Sequence, residues 1–205
     1  RHPIIPGTAP EPGHHGLYLD WEDDEYQHGE RYRQLTNGYN LNPDDYDLFH
    51  LRCTTTLGDH AQRIHHQIAE SRATFLVIDS AGMACGGEPE KSDAALLFFS
   101  ALRTFSLPAL IIAHQTKGNS RGMPFGSIMW HNAARMTWEI KSKQRHGKDG
   151  LNIALTNRKS NVSSLLGTIG LTILWGTDSI KVESFDPNTE PDFADADHLS
   201  DRLYQ

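Results

Sequence analysis

Apolar and polar residues follow one another in blocks along this 205-residue chain. The first apolar block, Leu17-Tyr18-Leu19-Asp20-Trp21, has the length of a short buried strand and runs straight into the acidic cluster Glu22 to Glu25. Residues 24–36 are good helix formers, with Tyr26, Tyr32 and Leu35 available for an inner face and Asn37-Gly38 as a stop. A second strand is expected over Asp47 to Arg52, followed by Leu57, Ala61, Ile64 and Ile68 at helical spacing. Thr74 to Ile78 is a continuous apolar run, as in a strand buried on both faces of a parallel sheet, and it ends in Asp79-Ser80. Ser92 is placed to cap a helix whose Leu96, Leu97, Phe98, Ala101, Leu102 and Phe105 are mostly core. Pro108 to Ala113 reads as another buried strand, ending in His114-Gln115.

Strand and helix in alternation predict an α/β domain whose mostly parallel sheet is covered on both sides. Beyond the Gly/Ser-rich stretch Thr116 to Ser127 the texture changes to strands without long helices: Met136 to Ile140, Leu151 to Thr156, Leu166 to Trp175 and Ser179 to Phe185. Gly176-Thr177-Asp178 suits a hairpin turn between the last two. The length favours one domain, expected over 1–185, with 186–205 as a loosely attached acidic tail and Arg1 to Gly13 as an entering loop.

Composition narrows the class. Hydrophobic residues at 38% and charged residues at 22% exclude a disordered or collagen-like chain. The longest apolar runs fall well short of the roughly 20 residues that span a bilayer, so no membrane partner is expected. Cys53 and Cys85 make neither a disulfide framework nor a zinc-site spacing, and no signal segment opens the chain, which points to the cytoplasm. The net charge of −7 hides an asymmetry: residues 11–47 hold ten acidic side chains against two basic, whereas residues 117–159 hold nine basic against two acidic. Such separation suits a molecule that meets a polyanion on one face, although basic loops also serve as solvated surface.

In an open parallel sheet, ligands bind at the carboxyl ends of the strands. Here those ends carry Glu22, then Asp79-Ser80, then His114-Gln115. Carboxylates, a hydroxyl and an amide gathered there suit Mg²⁺-phosphate chemistry, in which one acid holds metal water and another orients an attacking water. Each also has a plainer use: Asp79 as a helix cap, Glu22 as an acid at a helix start, Gln115 as a partner for loop backbone. His60, His65 and His66 offer a rival metal site, but adjacent histidines on a helix point apart. Trp130-His131 could stack on bases, but an aromatic next to a strand more often belongs to the core.

At these residues the chain resembles the RecA-like ATPases, and within them the plasmid and phage replicative proteins related to hexameric RepA-type helicases. Leu17 to Glu22 (LYLDWE) is similar to the strand whose terminal glutamate activates water. Phe75 to Ser80 (FLVIDS) is similar to the Walker B strand, whose aspartate holds Mg²⁺, and Ala109 to Gly118 (ALIIAHQTKG) to the sensor strand and the start of a DNA-facing loop. Gly126-Ser127, Asn132 to Arg135 and Trp138 resemble the segment that follows, and Asn157 to Asn161 the strand end that reaches into a neighbouring subunit's nucleotide.

The resemblance implies a RecA-like three-layer sandwich with a C-terminal β-hairpin extension, using ATP and Mg²⁺. Glu22, Asp79, His114 and Gln115 would be catalytic, with Asp79 toward the metal. Ser80, Arg158 and Lys159 would touch nucleotide, and Lys117, Arg121 and Arg135 single-stranded nucleic acid, DNA rather than RNA. A homo-oligomeric ring acting as a motor or loader is the implied assembly. The family's phosphate cradle, G-x-x-x-x-G-K-[ST], occurs nowhere in the 205 residues, and the expectation is that it lies upstream of Arg1. Two alternatives remain: a non-hydrolysing RecA-like regulatory or scaffold protein, and a metal-dependent hydrolase built on the histidines.

Overall fold

The computed structural model describes residues 13–43, 48–115, 123–144, 150–190 and 193, and these divide between two compact units. The expected 1–185 core is shared between the two.

One unit comprises residues 11–32 and 42–133. Its strands β1 (Gly16–Asp20), β2 (Leu48–Arg52), β3 (Phe75–Asp79) and β4 (Ala109–Ile112) form a wholly parallel sheet in the order β2-β1-β3-β4. The connections carry helices α1 (Glu25–Gly38), α2 (Ala61–Ser71), α3 (Ala81–Ala84) and α4 (Ser92–Thr104), and α5 (Met129–Ala133) follows β4. Parallel neighbours need such crossovers, which is why strand and helix alternate in the sequence. The register sets Tyr18 opposite His50 on one side and Val77 on the other, and Asp20 opposite Arg52 and Asp79.

Alternation along each strand sorts the faces. Leu17, Leu19, Leu51, Leu76 and Ile78 are buried on one face and form a single core with Ile64 of α2, Phe98 of α4 and Trp130 of α5. A fully buried side chain of this size contributes roughly 1.5–3 kcal/mol. Phe98 meets the Trp130 ring at a centroid distance of 5.1 Å, and the indole N–H donates to Pro89 O at 2.9 Å, so Trp130 belongs to the core. Cys53, also buried here, has its thiol pushed up to about 11, chiefly by burial.

Several expectations change in this unit: Tyr26 of α1 is 76% exposed rather than on an inner face, and β3 is fully buried on one face only, with Phe75 and Val77 half-buried on the other. The strand β4 is half-buried, with Leu110 62% and Ile112 39% exposed, because only one face of it is covered. Leu96 and Leu97 of α4 are exposed as well, and Phe99 is buried in their place, because the core-facing stripe runs through Ala94, Ala95, Phe98 and Phe99. The α4 cap position is Lys91, while the Ser92 hydroxyl pairs with that of Ser127 at 3.1 Å.

The other unit comprises residues 1–10, 33–41 and 134–205. It is built on an antiparallel sheet, β5 (Met136–Gln144), β6 (Gly150–Ser160), β7 (Ile169–Trp175) and β8 (Ile180–Phe185), in that order. The expected hairpin extension is therefore one half of a four-stranded sheet. Its β7–β8 turn is closed by Gly176 N–H to Ser179 O at 2.8 Å. A bulge between Thr137 and Trp138 is spanned by the buried Asn157, whose amide donates to Thr137 O and Lys159 O and whose carbonyl accepts from Leu166 N. Gly38 is the last residue of α1 rather than a stop beyond it. A Cβ there would lie 2.0 Å from Ile180 O, so only glycine lets the two backbones approach. The expected tail begins in packed structure: Asp186 caps a 3₁₀ turn at Pro187–Thr189, and Phe193 is buried with its ring 6.1 Å from that of Phe185. Residues 194–205 lie outside the described residues. Among the described residues no helix is long and apolar enough to cross a membrane.

Candidate functional site

The carboxyl ends of β1, β3 and β4 bring the sequence-derived residues of the parallel unit together. At the end of β1, the Asp20 carboxylate turns back on the chain, its Oδ1 accepting from both Glu22 N–H and Asp23 N–H at 2.9 Å. This Asx-type turn sets the direction of the Glu22 side chain. Glu22 Oε1 then accepts the Ser80 hydroxyl at 2.6 Å and lies 3.5 Å from His114 Nε2. Ser80 is fully buried, whereas the Glu22 side chain is 39% and that of His114 73% exposed. The result is a carboxylate held by a buried hydroxyl on one side and open to solvent on the other.

Asp79 does not cap α3. Its Oδ2 accepts the Tyr18 hydroxyl at 2.6 Å from the adjacent strand. Burial, reinforced by the bond to Asp79 and its charge, pushes the Tyr18 phenol far above its usual range, so Tyr18 stays a donor. Gln115 forms an isolated bridge with Pro124, and Phe125 N–H donates to His114 O at 2.7 Å, which ties the end of β4 to the residues after 122. An apolar depression bounded by Ala81, Pro89, Phe125 and Trp130 opens beside His114.

On the second face of the same sheet lies a polar cluster that sequence reasoning missed. His50 Nε2 sits 3.0 Å from Asp20 Oδ2, and the His28 ring of α1 lies 4.3 Å from the Tyr18 ring and 4.7 Å from that of His50. Burial alone would raise the Asp20 carboxyl, but the Asp23 N–H, His50 and Glu22 N–H hydrogen bonds outweigh it and hold Asp20 below the usual carboxylate range. Burial, then the neighbouring His50 charge, lowers His28. The signal was present: the alternation that buries Leu17, Leu19 and Leu51 puts Tyr18, Asp20 and His50 together on the opposite face.

The histidine trio weighed from sequence is committed elsewhere. His60 Nε2 accepts from Thr54 N–H at 2.9 Å and Thr55 N–H at 3.2 Å, His65 packs edge-on against Phe105, and His66 pairs with Glu70.

The remaining sequence-derived residues fall in the antiparallel unit or outside the described residues. Arg158 of β6 pairs through Nε and Nη2 with Glu139 of β5, a pair 16% and 4% exposed. Lys159 Nζ donates to Ala134 O at 2.7 Å. Arg135, exposed, precedes β5, and its carbonyl accepts from Asn161 N–H. Lys117 and Arg121 lie outside the described residues.

No protein-family model and no curated protein matches the chain. The functional reading therefore rests on the arrangement of its own residues.

Proposed function

We propose that this chain carries the catalytic half of a RecA-like, ATP-hydrolysing motor or loader on single-stranded nucleic acid. The observation that carries the reading is the Glu22–Ser80 hydrogen bond at the ends of two neighbouring parallel strands, with Asp79 adjoining and His114 within reach. In this reading Glu22 orients and deprotonates the attacking water, held in its rotamer by Ser80. His114 and Gln115 face the transferred phosphoryl group.

The residues fit a Mg²⁺ nucleotide. Among the described residues Tyr18 bonds one carboxylate oxygen of Asp79, which leaves Oδ1 for the water shell of a hard cation. When bound, the cation would neutralise phosphate charge; Asp79 positions its waters and Tyr18 keeps that carboxylate aimed. The reading requires a phosphate cradle from residues outside these 205. The β3–β4 part of the second face, with Phe75 and Val77 half-buried and Leu110 and Ile112 exposed, is suited to packing the strand and helix that would bear it.

A three-layer RecA-like sandwich, a homo-oligomeric ring and a cytoplasmic location belong to the same proposal. So does a nucleic-acid surface at Lys117, Arg121 and Arg135, expected to show strongly salt-dependent affinity. Arg158 and Lys159 are engaged within their own unit, so a role at a neighbouring subunit's nucleotide requires them to exchange partners. The second reading is a RecA-like regulatory or scaffold protein without hydrolysis, and whether the protein turns over ATP separates the two.

The test is Glu22→Gln in protein that includes the cradle. ATP binding should persist while hydrolysis falls at least about a hundredfold, the typical contribution of a positioned base. Near-normal turnover in that variant removes Glu22 from the role, and wild-type protein that neither binds nor hydrolyses ATP leaves the scaffold.

A further inference from the structure

We propose that Asp20, His28 and His50 form a binding site for one divalent transition-metal ion of the zinc class. The inference stands on geometry and does not depend on the ATPase reading. Each residue offers a ligand atom, and the three atoms lie within 4.8 Å of one another. Metal bonds of about 2.0–2.2 Å place tetrahedral ligands roughly 3.3–3.5 Å apart. Asp20 Oδ2 and His50 Nε2, at 3.0 Å, are already near that spacing, and the His28 ligand atom, no more than 4.8 Å from either, would have to close in by about an ångström at most.

The second observation is independent. His28 Nε2 is buried and has no hydrogen-bond partner among the described residues. An unpaired polar nitrogen out of contact with water is costly, and a ligand at that point removes the cost. The remaining packing is that of a built site. Asp20 is 1% exposed and the His50 side chain 12%, the three rings of Tyr18, His28 and His50 hold one another in place, and the second Asp20 oxygen is fixed by two backbone N–H groups.

Two imidazoles and one carboxylate are the donor set of zinc-class cations; Mg²⁺ and Ca²⁺ prefer oxygen. The Tyr18 hydroxyl is committed to Asp79 and Asp23 to Arg31, so a water completes the coordination. Loading exchanges the Asp20–His50 hydrogen bond for two metal bonds, with the His50 proton on Nδ1. The metal would tie β1, β2 and the first turns of α1 together. Through Asp20 Oδ1 it would also stiffen the turn that aims Glu22, which makes Asp20 a positioning residue as well as a ligand.

The experiment titrates chelator-stripped protein with Zn²⁺ in competition with a chromophoric chelator. One site per chain with a dissociation constant below about 1 μM is expected, together with a rise in Tm on loading. His28→Gln and His50→Gln should each weaken that site at least about a hundredfold, more than loss of an outer partner costs. His65→Ala/His66→Ala should leave it unchanged. Equal affinity in wild type and His28→Gln, or loss of the site in the His65/His66 variant, overturns the proposal. Should His28→Gln fail to fold, modification of wild-type histidines by diethylpyrocarbonate decides: Zn²⁺ should protect His28 and His50 selectively, and unchanged labelling of both refutes the site.

Discussion

The two sheets put the same kinds of side chain to opposite uses. At the carboxyl ends of the parallel strands, Glu22, Asp79 and Ser80 bond to one another or to Tyr18 and keep solvent on one side. In the antiparallel sheet the charged side chains of β6 are spent inside their own unit: Arg158 on Glu139, Lys159 on the Ala134 carbonyl. The difference follows from topology. Parallel strands end together, so polar residues placed after them converge on one edge without being needed for the ladder. Antiparallel strands run back on themselves, and a charged residue at a covered position, as Glu139 is, must be paired with a neighbour or be left buried alone.

The largest effect that would break the comparison lies at Arg158. Arg158→Met should destabilise the antiparallel unit by about 3–5 kcal/mol, because the nearly buried Glu139 loses the Arg158 guanidinium that pairs with it. Arg158→Met with Glu139→Leu should recover most of that loss. Urea denaturation of the single and double variants measures it, and a near-silent single variant would return Arg158 to the pool of free cations.

Next is the contrast within the parallel unit itself. Leu19→Ala, at a fully buried position, should cost about 2–5 kcal/mol, whereas Leu110→Ala, on the uncovered face, should change stability by less than about 0.5 kcal/mol. Equal losses at the two positions would mean that the β4 face is covered in solution.

The smallest effect belongs to the exposed pair of Arg33 and Asp178, both in the antiparallel unit. The hydrogen bond from Arg33 holds the Asp178 carboxyl below its usual range. For a lowered carboxyl, the stabilisation is complete above the ordinary pKa of about 3.9 and disappears as pH falls through the lowered value. Arg33→Gln should therefore remove a small, salt-sensitive contribution at neutral pH and nothing at strongly acid pH. A loss that persists in acid would point to packing of the Arg33 stem instead.

Much of the architecture was legible residue by residue. Leu17 to Trp21, Thr74 to Ile78 and the acidic or hydroxyl residues that follow them announce parallel strands with chemistry at their ends, because hydrophobic periodicity and strand-end residues are local signals. The boundaries of β1, β3 and β8 fall within a residue or two of expectation for the same reason. What the chain could not announce were relations between residues far apart in sequence. That Tyr18 would take Asp79, that Ser80 would hold Glu22, and that His28 and His50 would meet at Asp20 depend on how strands and helices pack, which places partners 8 to 61 positions apart side by side. Local pattern determined which elements form and which of their faces are apolar. Only the tertiary structure decided that β4 keeps one face open, that Arg158 is consumed by Glu139, and that His28 of α1 meets Asp20 and His50 on the polar face of β1 and β2. Those outcomes come from packing among distant segments, on which nearest-neighbour sequence carries no information.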